Sequence, residues 1–408
     1  MSEEDSNLDS PAASVVLKRG RLKPVYAGHP WIFSGAIKSV QGEAEAGAPV
    51  WVLNPDGARI GWGFYSPTSA LRVRFWGFET KNDSAIFSAI FRQRVKTALA
   101  RRKALGIPNQ ETNGYRLLHG EGDLVPGCTV DVLGDAVSIR YGSIALWQRR
   151  SFIADVIREE TQAKYIAQLV DPQVADEEGI YGINHVVNEP DLDRCLVTFL
   201  ESGIKYETDL LNAQKTGHYT DQRDNRLKIR ALSKGKHVLD LCTNTGGFAL
   251  NAAAGGAESV VAVDSSAPAI LRARRNAKEN NLQNITFVHE DIMRVMSDQD
   301  NESFGLVILD PPKLIKSRRH MEQGEKKYQS LNARAMQMVR AGGLFVSFSC
   351  SGVFDESLFL RMLSRAAESA GSRLHVHSTL KAGIDHPFMV QAPESSYLKG
   401  VLGSIVPR

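Results

Sequence analysis

Beyond Lys236, short apolar runs alternate with segments of helical periodicity, and this alternation restricts the fold more than any other feature of the sequence. The runs His237–Leu241, 259–263 and Phe304–Leu309 have the length of buried strands. Strands that alternate with helices predict a parallel sheet with helices on both faces. We therefore expect an α/β, Rossmann-like domain with a mixed, mostly parallel sheet over residues 196–408.

Acidic residues stand at the ends of four successive predicted strands. They are Asp240, Asp264, Asp291 and Asp310. Ligands of open α/β sheets bind outside the carboxyl ends of the strands, so these side chains are expected at the binding crevice. One acid at a strand end is more often a capping residue than a ligand, but four in succession favour a binding site. Asp264 follows Asp240 by 24 residues, a spacing typical of an acid that binds ribose hydroxyls.

The loop after the first of these strands is Thr243-Asn244-Thr245-Gly246-Gly247. It lacks the G-x-G-x-x-G spacing of dinucleotide-binding enzymes, which argues against a nicotinamide dehydrogenase. Its two glycines still allow a ligand to approach the backbone closely.

The loop after the fourth strand is Asp310-Pro311-Pro312-Lys313. Two prolines fix the backbone and remove two N–H donors, which makes the loop stiff and leaves its carbonyl groups available to a ligand. A rigid acid beside such a loop suits recognition of a flat, hydrogen-bonding ring. An ordinary proline-rich turn is the alternative interpretation.

The net charge of +3 conceals an uneven distribution along the chain. Residues 17–103 carry 15 Lys or Arg against five acids, and they include four of the five tryptophans, Trp31, Trp51, Trp62 and Trp76. A basic, aromatic-rich module is typical of nucleic-acid binding. A small β-core that buries its tryptophans and exposes its lysines would give the same composition, so both interpretations stay open.

The N-terminal half predicts three segments before the α/β domain. Residues 1–16 carry four acids and predict a disordered tail, and residues 17–83 contain short strand-like runs that predict a small β-barrel. Residues 84–195 begin with a connector helix that has a basic face and continue as an α+β domain. In that domain Gly134-Asp135 separates two alternating runs and predicts a two-residue hairpin.

The four cysteines, at positions 128, 195, 242 and 350, lie far apart, and no pair has C-x-x-C spacing. A disulfide framework and a structural zinc site are therefore not indicated, and no metal is expected. The apolar runs are too short to span a bilayer, and the N-terminal segment lacks the pattern of a signal peptide. We expect a cytoplasmic protein with no membrane partner. The oligomeric state stays open, and a homodimer is compatible with the sequence.

Several motifs together resemble one family of RNA-modifying enzymes. Residues 214–226 are QKTGHYTDQRDNR, which resembles the Q-K-T-G-x-x-x-D-Q-R-x-N-R signature of the ribosomal RNA large subunit methyltransferase I family. Residues 238–248, Asp264 and Asp310-Pro311-Pro312 resemble the cofactor loop, ribose-binding acid and D/N-P-P motif of class I S-adenosylmethionine-dependent methyltransferases. Residues 116–131 resemble the middle domain of the family, and residues 17–78 resemble its PUA domain, an RNA-binding β-barrel.

This resemblance implies a cofactor, a partner and a reaction. The cofactor is S-adenosylmethionine, the partner is large-subunit ribosomal RNA, and the product is 5-methylcytosine. The resemblance implies that Cys350 adds to C6 of the cytosine and that Asp310 binds the base. The cofactor-binding residues that it implies are Gln214, Tyr219, Arg223, Asp240, Asn244, Gly246, Phe248, Asp264, Ser265, Asp291 and Asp310.

A basic run follows the D-P-P motif. It includes Lys313, Lys316, Arg318 and Arg319. These cations are placed to hold phosphates that flank a base flipped out of its stack, although a solvated run of charge is the alternative.

Two other functions stay open at this stage. Direct N-methylation of a purine in ribosomal RNA would use Asp310 but would not need Cys350. A non-catalytic RNA-binding factor for ribosome assembly would retain only a vestigial cofactor pocket. Replacement of Cys350 separates the first alternative from cytosine methylation, and cofactor binding separates the second.

Overall fold

The computed structural model describes residues 11–78, 86–181, 185–187, 196–211, 218–298, 301–315 and 317–407. The chain divides into two compact units. The first contains Met1–Phe199, Thr208–Thr220 and Asp385–Ser395, and the second contains Leu200–Glu207, Asp221–Ile384 and Ser396–Arg408. The sequence predicts the β-barrel and the α+β domain as separate domains, whereas both lie in the first unit.

The N-terminal part of the first unit is a six-stranded sheet with the strand order β2-β6-β5-β4-β1-β3. Its strands are β1 (Ala13–Leu17), β2 (Trp31–Phe33), β3 (Ile37–Gln41), β4 (Pro49–Leu53), β5 (Arg59–Tyr65) and β6 (Leu71–Gly77). β1 pairs parallel with β4, and the other pairs are antiparallel. The tail predicted over 1–16 ends too late, because Val15 and Val16 are buried in β1. Residues 1–10 of that tail lie outside the described part of the chain.

A five-stranded sheet with the order β11-β10-β9-β8-β7 follows in the first unit. Its strands are β7 (Gly114–His119), β8 (Cys128–Leu133), β9 (Ala136–Tyr141), β10 (Tyr165–Val170) and β11 (His185–Val187). Gly134 and Asp135 form the predicted two-residue turn, because Leu133 pairs with Ala136 across it. Helices of this unit span Lys23–Tyr26, Ile86–Ala104, Ile144–Gln148, Arg150–Thr161 and Pro172–Glu178. The strands β12 (Leu196–Glu201) and β13 (Ile204–Asp209) pair with each other.

One hydrophobic core joins the two sheets of the first unit. Trp51, Trp62 and Trp76 are each at most 3% exposed and share this core with residues of β7–β10. Phe87, on the helix Ile86–Ala104, contacts the ring of Trp76 at 5.2 Å between centroids. Trp31 is half-buried, and its indole N–H donates to Glu121. Three of the four tryptophans in the basic segment therefore serve packing, which also explains why the two predicted domains form one unit.

Much of the basic charge of the first unit is used in internal ion pairs. Arg102 is fully buried and binds both carboxylate oxygens of Asp123, with Nη2 2.7 Å from Oδ2. Arg116 makes a second bidentate pair, with Asp131, at 2.6 and 3.0 Å. The Asp123 carboxylate also accepts the backbone N–H of His119. Because both pairs are buried, they tie strands and helices of this unit together rather than forming a charged surface.

We expect Asp123→Ala to destabilise the first unit by about 3–5 kcal/mol, since it leaves the buried Arg102 guanidinium without its counter-charge. Urea unfolding followed by tryptophan fluorescence measures the loss. Asp56→Ala is the matched control, because Asp56 pairs with Arg19 at 2.9 Å on the surface. The free energy of unfolding of Asp56→Ala should fall by less than about 1 kcal/mol. Equal losses in the two variants would contradict the structural role of the buried pair.

The second unit contains a seven-stranded sheet with the order β16-β15-β14-β17-β18-β20-β19. Its strands are β14 (His237–Leu241), β15 (Ser259–Asp264), β16 (Ile285–His289), β17 (Phe304–Leu309), β18 (Val339–Ser349), β19 (Ser372–Leu380) and β20 (Lys399–Pro407). β14 to β18 are parallel, and β20 runs antiparallel between β18 and β19. The mixed, mostly parallel sheet of the prediction is confirmed, whereas the last two strands were not predicted.

Helices alternate with the parallel strands of this sheet. They span Arg223–Leu232, Gly247–Ala254, Ala267–Glu279, Ile292–Asp298, Met321–Gln337 and Glu356–Ser369. The chain moves outward from β14 to β16 and then returns to the other side of β14 with β17. The strand order reverses between β14 and β17, and a crevice for ligands opens at such a switch point.

In the described ranges, which omit 1–10, 79–85, 188–195 and several shorter stretches, no helix combines the length and apolarity that a membrane span requires.

Candidate active site

The carboxyl edge of the seven-stranded sheet gathers the four acids that the sequence places at strand ends. Their common neighbour is Cys242, the first residue after β14. Burial raises the pKa of the Cys242 thiol well above its usual value, and four nearby carboxylates raise it further. In order of effect these are Asp264, Asp310, Asp240 and Asp291. The four acids therefore converge on one region.

Asp240 is the most deeply buried of these acids, with no exposed surface. Its Oδ2 accepts hydrogen bonds from the hydroxyl of Thr243 at 2.6 Å and from the backbone N–H of Ala249 at 2.9 Å. Burial raises the pKa of this carboxyl to about 7, against the lowering effect of the two hydrogen bonds. Its Oδ1 is buried and has no hydrogen-bond partner in the described residues. A buried acceptor without a donor costs free energy, which a ligand that donates a hydrogen bond would recover.

The loop after β14 adopts a left-handed backbone at three positions. Cys242, Asn244 and Gly246 have φ values of 65°, 51° and 89°. Asp264 stabilises this conformation, because one of its oxygens accepts the backbone N–H of Asn244 at 2.8 Å. Its other oxygen accepts the N–H of Ser266 at 2.9 Å. The second strand-end acid thus fixes the loop that follows the first.

Asp310 and Cys350 follow neighbouring parallel strands, since Leu309 of β17 pairs with Ser347 of β18. The Asp310 Oδ2 accepts a hydrogen bond from the side-chain amide of Gln222 at 3.1 Å. The Gln222 carbonyl in turn accepts from the Asn225 amide at 2.7 Å. Our sequence reasoning did not single out Gln222 and Asn225. Their place in the segment 214–226 was the available signal.

Ser351 links the loop of Asp310 to the loop of Cys350. Its hydroxyl oxygen accepts the backbone N–H of Ile315 at 3.3 Å and lies 3.2 Å from the hydroxyl of Tyr328. Tyr328 is fully buried, and its ring stacks on Phe354 with an interplanar angle of 6°. Cys350 itself is half-buried. The loop of Cys350 and the loop of Asp310 are thus joined by a hydrogen bond.

Comparison with known proteins identifies the family. Residues 188–393 match the model of an S-adenosylmethionine-dependent methyltransferase, and residues 15–78 match that of a PUA-like domain. The chain is 33% identical over 396 residues to "Ribosomal RNA large subunit methyltransferase I" of Alteromonas mediterranea, covering 96% of this chain and 98% of the relative. The Klebsiella pneumoniae protein of the same name is 33% identical over 397 residues, with the same coverage. The chain belongs to the ribosomal RNA large subunit methyltransferase I family. It is therefore dependent on S-adenosylmethionine.

The fold is shared with solved structures as well. A chain described as a SAM-dependent methyltransferase from Streptococcus mutans superimposes with a TM-score of 0.81 at 19% sequence identity. The match covers 96% of this chain and 99% of that chain. The predicted PUA-like module and the predicted class I methyltransferase fold are both confirmed.

The strand-end loops of this methyltransferase fit the cofactor of the family. S-adenosylmethionine carries an ammonium group, a sulfonium centre and ribose hydroxyls, all of which favour carboxylate neighbours. The buried Oδ1 of Asp240 offers an acceptor that no described residue satisfies. Asp264 keeps further acceptor capacity on each oxygen beyond its backbone donors.

The other residues implied as cofactor contacts occupy varied positions. Asp291 is exposed and caps the helix Ile292–Asp298 by accepting the N–H of Met293 at 2.8 Å. The Ser265 carbonyl lies 3.0 Å from His289 Nε2. Phe248 is buried in the core, where its ring stacks on Phe348. Its side chain therefore serves packing.

Three residues of the segment 214–226 were also implied as cofactor contacts. Arg223 is buried in the second unit, and its Nε donates to Asp224 at 3.1 Å. Tyr219 belongs to the first unit. Gln214 lies outside the described residues.

We expect the contribution of Asp240 to the free energy of unfolding of the cofactor-free protein to fall as the pH rises from about 4 to about 7. Over that range the unfolded chain loses the Asp240 proton, whereas burial keeps it in the fold, where the pKa is about 7. Asp240→Asn cannot ionise, so its stability relative to the parent should rise between about pH 4.5 and pH 8. Urea titrations at both pH values measure the difference. A pH-independent difference would contradict the raised pKa.

Proposed function

We propose that this protein methylates C5 of a cytosine in large-subunit ribosomal RNA, with Cys350 as the nucleophile. The observation that carries the proposal is that the half-buried Cys350 and Asp310 follow the carboxyl ends of two neighbouring parallel strands, at the edge where the cofactor loop lies. The name of the curated relatives supports ribosomal RNA as the substrate, and the PUA-like module supports RNA binding.

The chemistry explains why a thiol is needed beside the methyl donor. C5 of cytosine is a weak nucleophile and does not take up a methyl group directly. When the Cys350 thiolate forms a bond to C6, electron density moves to C5 in an enamine-like system. S-adenosylmethionine would supply the methyl group as an electrophile and leave as S-adenosylhomocysteine. Loss of the C5 proton and departure of the Cys350 thiolate from C6 then restore the aromatic ring, so that one difficult step is divided into easier ones.

Asp310 has the role of holding the base during this sequence. Its carboxylate accepts hydrogen bonds and can bind the exocyclic amine or a protonated N3 of the cytosine. A proton held between the Asp310 carboxylate and N3 neutralises the negative charge that the ring gains when the thiolate adds. The hydrogen bond from Gln222 keeps one oxygen in place, and the two prolines after Asp310 stiffen the loop.

Cys350 is the best nucleophile among the described cysteines. Burial raises the pKa of Cys128 to about 12, and Cys128 lies in the core of the first unit. The pKa of Cys242 is raised well above its usual value by burial and by carboxylates, which disfavours its thiolate. Cys195 lies outside the described residues.

We propose that the cofactor site includes Asp240, Asp264, Asn244 and Gly246. The left-handed loop brings its backbone to the carboxyl edge of the sheet, where Asp240 has its unsatisfied oxygen. Asp264 is the acid that we assign to the ribose hydroxyls, and Asp291 follows the next strand outward. These residues bind and orient the methyl donor.

We expect Cys350→Ala to abolish 5-methylcytidine formation, because C5 is then not activated. The assay incubates unmodified large-subunit ribosomal RNA with the protein and S-adenosylmethionine and analyses nucleosides by mass spectrometry. Cys128→Ala is the matched control, since it makes the same change of side chain, from cysteine to alanine, and should keep the activity. RNA that contains 5-fluorocytidine should form a denaturant-stable adduct with the parent but not with Cys350→Ala. Fluorine at C5 cannot leave as the C5 proton does, so the bond between Cys350 and C6 is not released.

Other outcomes of this assay would overturn the proposal in distinct ways. A methylated purine, or 5-methylcytidine that persists in Cys350→Ala, would remove Cys350 from the mechanism. A protein that fails to bind S-adenosylmethionine would favour the non-catalytic RNA-binding role.

A surface of three cations follows Asp310 along the chain and supports RNA binding at this site. It consists of Lys313, Arg318 and Arg319, which are exposed and form no ion pair within the described part of the chain. The predicted fourth member, Lys316, lies outside the described residues. Unpaired exposed cations are suited to phosphate contacts, because they need not give up an internal partner.

We expect the double variant Arg318→Gln, Arg319→Gln to weaken RNA binding about tenfold at low salt, with little change in kcat. The slope of log K against log salt should fall by roughly one to two, since two phosphate contacts are lost. Fluorescence anisotropy over a salt series measures both quantities. Lys326→Gln is the control, because Lys326 already pairs with Glu322 at 2.8 Å. An equal effect of the control would exclude a specific role for the two arginines.

A further inference from the structure

Lys399 is a buried lysine beside the proposed nucleophile. It is the first residue of β20 and lies directly across from Ser349, the last residue of β18. Its Nζ donates a hydrogen bond to the carbonyl oxygen of Ser351 at 2.8 Å, and the residue is 4% exposed. Lys399 therefore contacts the chain on both sides of Cys350.

The surroundings of Lys399 hold little that would compensate its charge. In the part of the chain that the structure describes, it forms no ion pair with a carboxylate. Burial lowers its pKa to about 8, and the largest opposing influence comes from Cys350. Lysine is almost never buried unless it is paired, so a group that becomes negative at this place would account for its position.

The charged groups that face Lys399 from neighbouring elements have smaller effects than Cys350. They are Lys381, which lies after β19, and Asp355 and Glu356 at the start of the helix Glu356–Ser369. Lys381 and Glu356 pair with each other, so that their charges largely cancel. The Asp355 carboxylate caps its helix by accepting the N–H of Leu358 at 2.8 Å. Among these groups, Cys350 has the strongest electrostatic effect on Lys399.

We propose that Lys399 is a positioning residue whose ammonium group stabilises the thiolate of Cys350. The inference rests on the proposed function of Cys350 as nucleophile. A cation beside a cysteine favours the thiolate, which is the form that adds to C6. The thiol proton leaves to solvent, and Lys399 stays protonated. The thiolate in turn favours the charged form of Lys399, because the two groups titrate as a coupled pair.

The inference also explains why β20 lies next to β18. A strand in this position delivers a side chain from the C-terminal part of the sequence to the end of β18, where Cys350 begins its loop. The hydrogen bond to Ser351 holds the Lys399 side chain along that loop. Ser351 also binds the loop of Asp310 through its hydroxyl, so the cation is attached to the same assembly as the acid.

The test is the rate of iodoacetamide alkylation of Cys350 as a function of pH, followed for the Cys350 peptide by mass spectrometry. We expect Lys399→Gln and Lys399→Met to raise the apparent pKa of Cys350 by about one unit, which lowers alkylation near pH 7 about tenfold. Lys205→Gln is the control, because it removes the same charge from a surface pair with Glu279 in the same unit. Its profile should coincide with that of the parent.

A second readout separates an effect on charge from a loss of structure. In both Lys399 variants the methyl-transfer rate should fall near neutral pH and recover towards the parent rate about one pH unit higher, since the thiolate forms there without assistance. Alkylation profiles of both variants that superimpose on the parent would overturn the role of Lys399. Alkylation does not depend on RNA or on methyl transfer. A failure of Cys350 as nucleophile would instead appear as 5-methylcytidine that persists in Cys350→Ala.

Discussion

The crowding of carboxylates at one sheet edge is the constraint on which the rest of the second unit depends. Parallel strands bring their carboxyl ends to a single line, so acids that are far apart in sequence must share a poorly solvated region. Burial raises the pKa of Asp240 to about 7, and the two oxygens of Asp264 accept hydrogen bonds from two backbone N–H groups. The unusual backbone of residues 242–246 is therefore a product of the acids around it. A cationic methyl donor is the complement of such an edge.

The features that follow from local pattern could be predicted from the sequence, whereas those that depend on distant partners could not. Hydrophobic periodicity was sufficient for β14 to β18, and the hairpin at Gly134-Asp135 follows from turn chemistry. The sequence left open whether the four tryptophans of residues 17–103 bind nucleic acid or pack in a core, because composition does not show which side chains share a core. Three of these four tryptophans are buried. Lys399 gave no signal, since nothing in its neighbourhood along the chain shows that β20 lies beside β18.

In the first unit, the number of basic residues does not show which of them are available on the surface. Residues 17–103 are strongly basic, yet Arg102 is fully buried against Asp123, and Arg92 and Lys96 pair with Glu159 and Glu160. These pairs join the helix Ile86–Ala104 to other parts of its own unit. Lys313, Arg318 and Arg319 are exposed and form no ion pair in the described part of the chain, although they lie in residues 104–408, which carry 34 Lys or Arg against 37 acids. Pairing, rather than net charge, decides which basic residues are available to a polyanion.

The position of β20 between β18 and β19 has a consequence for the order in which the sheet is completed. β19 precedes β20 in the chain but joins the sheet only through it, so the two strands are added together as an antiparallel pair. During synthesis, β18 is made before the strand that covers its outer edge, and until then it presents unpaired backbone groups to other chains. The same pair of strands covers this aggregation-prone edge and brings Lys399 to the end of β18, so the edge is protected and Lys399 is placed in a single step.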